Sequence, residues 1–329
     1  MARPSPTHWA QPAKPDEPCP CGEGEPFAAC CFQPDQMPLL KVGAIRPTPP
    51  ITGHAHSKCY MRSTNDCSTK ISGEHYVSAA VLAEFGNLRT SGLPWFGPGE
   101  TPVGINALTS NILCTRHNSA LSPLDTEARR MLVAIRDGIN HVWKKSLSTK
   151  TLFRIVSGEA FELWGLKTLM GLLAANVART DGASTANNFT IPEALIVEAL
   201  TTGCLPPGYG LYVGHESDML HDTVGFAPLT HMEDQRVVGL RCTFLGIVMD
   251  FILDPGAASG IVAENDPHFR PAVMDFEGAK RTARLILTRS DQRRDGHRIS
   301  FAMRTVPTIA NEAAELKDHW ARKDFQRRL

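Results

Sequence analysis

The chain has 329 residues, 42% of them hydrophobic, and its 34 basic side chains are balanced by 34 acidic ones, so the formal net charge is zero. That length and apolar content suit two domains, or one domain with small modules. A neutral whole excludes global attraction to nucleic acid and leaves only local patches, and no apolar run is long enough to cross a bilayer, so no membrane partner is expected.

Residues 1–18, including "MARPSPTHWAQPAKPDEP", are Pro-rich and lack the apolar segment of a secretory signal. They read as a disordered leader. A cytoplasmic protein with reduced thiols follows as the expectation. Of nine cysteines, Cys19, Cys21, Cys30, Cys31, Cys59, Cys67 and Cys114 lie in the first 114 residues. In a reducing compartment such clustering, with histidines nearby, points to zinc rather than disulfides. Cys204 and Cys242 sit in apolar surroundings and read as core residues.

Residues 19–31, "CPCGEGEPFAACC", have the spacing Cys-x-Cys-x8-Cys-Cys. Four thiolates in so short a loop can fold back onto one tetrahedral ion, and metal binding would supply the folding free energy. The stretch resembles the SEC-C motif, a small zinc module. Glu23 and "EPFAA" stand where that motif usually has a Ser and a basic stretch. The resemblance implies docking to a protein partner, and a zinc-stapled cap with no partner is the alternative. Residues 32–53 are again Pro-rich and read as a linker.

From about His54 a second Cys/His segment begins. Cys114 and His117 have the spacing of a zinc knuckle, and Cys59 and Cys67 are the nearest thiols to complete four ligands. His54 and His56 compete for one place, although histidines in a Gly/Ala stretch are more often solvated. Glu74 and His75 are adjacent in "KISGEHYVSAAVL". Side chains adjacent on a strand point to opposite faces, so these two share a site only if the backbone bends.

The order Cys…Cys, Glu-His, then "NILCTRHN" opening a helix resembles the HNH endonuclease superfamily, the ββα-metal nucleases on a treble-clef zinc fold. It covers roughly residues 56–140. The resemblance implies hydrolysis of phosphodiesters in DNA, with RNA as the alternative, and by analogy to the fold a role in restriction or phage defence. It implies His75 as general base, Asn111 as brace of the loop that orients it, and Glu74 with Asn118 as ligands of one Mg²⁺ (Mn²⁺ as substitute). Cys59, Cys67, Cys114 and His117 would hold structural zinc, the second such ion beside that of Cys19, Cys21, Cys30 and Cys31. His117 stands where the last ligand is usually Cys, and Asn118 where a His often stands. If the site is silent, the same fold is a zinc-bound adaptor for nucleic acid or a protein.

Apolar residues from Leu124 to Val142 recur at helical spacing, with Ser122 as N-cap and Pro123 at the first helical position. "RHNSAL" can carry a preceding turn of its own. Beyond residue 150, "SGEAFELWGLKTLMGLLAANVART" reads as a buried helix started by Ser157, and "IPEALIVEAL" as a shorter one between Pro192 and Gly203. Trp143 and Trp164 read as core. "YGLYVG", "VVGLRCTFLGIVMDFIL", "ARLILTR" and "ISFAMRT" suit antiparallel strands. The basic stretch "KRTARLILTRSDQRRDGHR" reads as a solvated hairpin, and the end of the chain as a polar helix. The expected class is α+β: a zinc motif at 19–31, an HNH-like domain at 54–148, and a mixed helix and antiparallel-sheet domain at 149–329 that could bind a partner.

Overall fold

The computed structural model describes residues 11–34, 36–86, 88–90, 100–144, 149–180, 183–184, 191–215, 224–231, 233–254, 256, 268–290 and 298–303. The closing polar helix and part of the basic stretch lie outside them. The described chain is mixed α and β.

After two short turns come strand β1 (Ile71–His75), helix α1 (Ala79–Leu82), the two-residue strands β2 (Arg89–Thr90) and β3 (Thr101–Pro102), strand β4 (Thr109–Cys114) and helix α2 (Thr115–Trp143). β1 and β4 pair antiparallel. Then follow β5 (Leu152–Ser157), α3 (Gly158–Ala174), the two-residue β6 (Arg179–Thr180) and β7 (Ala183–Ser184), and α4 (Glu193–Thr202). The remaining strands are β8 (Gly210–His215), β9 (Val224–Thr230), β10 (Val237–Phe244), β11 (Ile247–Ile252), β12 (His268–Phe269), β13 (Val273–Glu277), β14 (Thr282–Thr288) and β15 (Arg298–Ala302).

α2 corrects one expectation. It does not start at Ser122 but at Thr115, capped by Cys114, and it runs unbroken for 29 residues with Pro123 inside. Pro123 has no N–H to give the Ser119 carbonyl. The Ser122 hydroxyl donates to that carbonyl instead, at 2.9 Å, so the helix continues without an orphaned acceptor. α3 begins as expected. The Ser157 hydroxyl accepts from Ala160 N at 3.1 Å, and α4 ends on Gly203, whose φ of 86° suits a residue without Cβ.

Two larger sheets flank the helices. The five-stranded sheet, in order β12-β8-β11-β10-β9, is antiparallel throughout. The four-stranded sheet, in order β15-β13-β14-β5, is not: β14 pairs parallel with β5 and β13 parallel with β15. The antiparallel expectation holds for "ARLILTR" on the side of β13, but it fails on the side of β5 and for "ISFAMRT", which pairs parallel with β13. α3 packs on the five-stranded sheet through Phe161 and Trp164, whose rings stack 5.3 Å apart and meet Phe244 and Phe251. Alternation along β14 splits the second sheet: Leu285 and Leu287 join the core around α2 and α3, while Ile286, with Ile155, faces the N-terminal Cys cluster.

One core therefore runs from Cys59 to Phe301 and draws on both the Cys/His segment and the chain beyond residue 149. Cys242 lies in it, but Cys204 is exposed, against expectation. Trp164 is fully enclosed, whereas Trp143 is 40% exposed at the end of α2. Nor do the described arginines of the basic stretch form a solvated hairpin. Arg284 forks onto Asp275 at 2.8 Å, and Arg289 is buried against Glu162 at 3.0 Å. No described helix is long and apolar enough to cross a membrane.

Candidate metal centres and the adjoining charged cluster

Cys19, Cys21, Cys30 and Cys31 come together as their spacing suggests, with ligand atoms all within 4.8 Å of one another. The Cys21 and Cys30 sulfurs are 3.4 Å apart. The loop closes because Gly22 and Gly24 adopt φ of 86° and 85°, a region that side chains disfavour, and because Cys19 N donates to Glu25 O at 2.9 Å. Thiols this close cannot all ionise without a cation. The Cys31 and other neighbouring thiols pull the Cys21 thiol down to about 5, whereas burial, helped by Cys21, pushes Cys30 up to about 12. A divalent ion removes that conflict by binding every thiolate. The apolar side of the loop, Phe27 above all, packs with Leu40 on Ile155 and Ile286. The module is thus docked on its own chain, across the sheet from α2, and its Glu23 pairs with Arg130 of that helix. Leu40, within the expected linker, is buried in the same contact.

The second cluster is Cys59, Cys67, Cys114 and His117, all buried and also within 4.8 Å. His117 Nδ1 lies 3.5, 3.7 and 3.2 Å from the three sulfurs. Bonds of about 2.3 Å to sulfur and about 2.0 Å to nitrogen at tetrahedral angles would separate S from N by roughly 3.5 Å. The wide Cys59–Cys67 spacing is taken up by a 3-10 turn, Arg62–Thr64, ending at Asn65 with φ 51°. Thr64 fixes the imidazole. Its hydroxyl donates to Met61 O at 2.8 Å, so it accepts from His117 Nε2 at 3.1 Å and leaves Nδ1 bare towards the thiols. Burial pulls His117 below the usual histidine value, which keeps the ring neutral, as a ligand must be. Each cluster could hold one metal ion. His54 and His56 stand outside both, with His54 exposed.

The remaining expected site residues surround the β1–β4 hairpin. Ser72 faces Leu113 and Glu74 faces Ser110, so Gly73 opposes two residues, Asn111 and Ile112. This bulge bends the hairpin next to Glu74, which is the bend a shared site would need. Asn111 is exposed on it. Asn118, in the first turn of α2, donates from Nδ2 to Ser72 Oγ at 2.8 Å. Glu74 is buried, and its Oε1 lies 2.9 Å from Lys167 Nζ. Lys167, on α3, also lies 2.6 Å from Asp125 Oδ2. His75 is half-buried, and its Nε2 is buried without a hydrogen-bond partner. Burial holds its pKa below 6.5, with Asp125 opposing and Lys167 assisting.

Asp125 and Lys167 were missed by sequence reasoning. A lysine between Leu166 and Leu169 without a polar face to occupy was the available signal. A cavity of about 540 Å³, lined by Glu23, Cys30, Lys41, Ser122, Glu127 and Arg130 among others, touches none of Glu74, His75, Asn111 or Asn118. Set against family models, curated proteins and solved structures, the chain matches none of them.

Proposed function

We propose that this chain is a zinc-stapled phosphodiester hydrolase of the HNH kind acting on DNA, with zinc at both Cys-rich clusters. The observation that carries the reading is the chain order around the second cluster. A knuckle with Cys59 and Cys67, a hairpin bearing Glu74-His75, and a helix whose start supplies Cys114 and His117 follow one another as a treble clef requires. Beside it His75 Nε2 has no partner.

In this reading His75 takes a proton from water at Nε2. Burial keeps the ring neutral at neutral pH, so it is in the basic form there. Asn118 braces β1 through Ser72. The expected Mg²⁺ on Glu74 and Asn118 does not fit the side chains as they stand. Glu74 is committed to Lys167 and Asn118 to Ser72, so the pair offers no open set of oxygens.

That same commitment of Glu74 favours a second reading, a zinc-bound adaptor that binds nucleic acid or a protein without cutting. Cleavage assays on plasmid, single-stranded DNA and RNA, with Mg²⁺, with Mn²⁺ and without added ion, separate the two. The hydrolase reading expects cleavage of DNA that His75→Ala lowers by about 10²-fold or more. Binding without cleavage supports the adaptor, and equal cleavage by His75→Ala removes His75 as the general base.

A further inference from the structure

Three elements converge on one ammonium. Lys167 of α3 lies between Oε1 of Glu74 on β1 and Oδ2 of Asp125 on α2, at 2.9 and 2.6 Å. The lysine side chain is 5% exposed and that of Glu74 7%, while Asp125 retains 25%. Two polar atoms nearby lack partners. The Tyr60 hydroxyl and His75 Nε2 are both buried without a hydrogen bond. The charges of Glu74 and Asp125 act on the Tyr60 phenol, adding to the effect of burial in keeping it protonated.

Carboxylates from separate elements, with a neutral imidazole and a phenol alongside, make a donor set for a hard divalent ion, which would sit about 2.0–2.5 Å from each oxygen. Lys167 Nζ stands in that position. It cannot swing to water as a surface lysine does, because Leu163, Trp164, Leu166, Thr168 and Leu169 around it on α3 are all buried. We propose that Lys167 is an internal cation occupying a divalent-metal site formed by Glu74 and Asp125, so that it excludes the ion and holds the site inactive. Two carboxylates against one ammonium leave the cluster with one net negative charge, whereas a divalent ion in place of the ammonium would balance both carboxylates. The inference deepens the proposed hydrolase function by naming what limits its metal dependence, and it rests on that reading only for the cleavage measurement.

The test uses the full chain with both Cys clusters loaded with zinc. Mn²⁺ is titrated into wild type, Lys167→Met and the Glu74→Gln/Lys167→Met pair, with the free ion followed by electron paramagnetic resonance and the melting temperature recorded in parallel. Lys167→Met should bind one further Mn²⁺ at least about tenfold more tightly than wild type, and Mn²⁺ should raise its melting temperature more than that of wild type. Adding Glu74→Gln should abolish both gains. If Lys167→Met does not fold, Lys167→Met combined with Asp125→Asn removes one charge of each sign and is compared with Asp125→Asn alone. Equal Mn²⁺ binding by wild type and the lysine variant, or binding by wild type that depends on Glu74, overturns the inference. Gained Mn²⁺ binding without cleavage of any nucleic acid sustains the inference and removes the hydrolase reading. Glu74-dependent Mn²⁺ binding by wild type together with cleavage does the reverse.

Discussion

At the scale of single residues, charge decides more than composition suggests. Burial by itself lowers the Lys167 pKa, but Asp125 and Glu74 outweigh it, and the group ends above the lysine value of 10.5. A group raised by folding contributes stability that is fully present below its unfolded pKa and is lost as pH climbs through the folded one. Lys167→Met should therefore destabilise the fold by about 3–5 kcal/mol near neutral pH, since it leaves the buried Glu74 carboxylate unpaired beside the partly exposed Asp125. The gap to wild type should narrow as pH rises past about 10.5, where the unfolded lysine loses its proton, and close beyond the higher folded-state value. Denaturant melts across pH measure this, and a gap that stays constant into the alkaline range would assign the cost to packing alone. The eight thiol and imidazole groups of the two candidate metal clusters were legible in the sequence, because each cluster is announced by close pairs such as Cys19/Cys21 and Cys114/His117. Lys167 was not. Its partners lie 93 and 42 residues away in the chain, counted from Glu74 and Asp125, and nothing in local spacing encodes such a meeting.

At the scale of elements, close approach sets the constraints. A Cβ at Gly165 of α3 would stand 2.3 Å from the Phe251 ring of β11, and that ring is itself packed against Phe161 and Trp164. Gly165→Ala removes a helix-weakening glycine, which on an exposed helix would stabilise by up to about 1 kcal/mol. Here overpacking should win, with a net loss of about 1–3 kcal/mol measurable by urea unfolding. A variant as stable as wild type would mean that the sheet recedes freely from the helix. The helices were readable from their periodicity and caps, α3 and α4 closely so. The start of α2 was not, because Ser122-Pro123 is a strong N-terminal signal that the Ser122–Ser119 bond overrides. The parallel pairing of β5 with β14 was equally hidden, since sequence patterns show that a stretch is a strand without showing its partner.

At the scale of the whole molecule, the two Cys-rich clusters play different parts. The first closes a loop that covers one face of the four-stranded sheet, while the second lies in the main core. Metal analysis should find two zinc ions per chain. On chelation, amide exchange should rise sharply over residues 17–31 and 59–67, whose backbone bonds depend on those loops, while β10 and β11 stay protected longest. One ion per chain, or unchanged exchange in the first loop after metal loss, would contradict this. α2 also binds the parts into one body. It is capped by Cys114 of the second cluster and lies along the sheet, where Gly138 meets Phe276 and Ala283. There is consequently no seam at which to cut. A fragment ending near residue 144 would keep every ligand yet turn Leu132, Ile135 and Ile139 to water, and residues 149–303 alone would lose the surface their sheet rests on. Neither half is a transplantable cassette, so recombination with unrelated chains can move this protein whole but not in pieces.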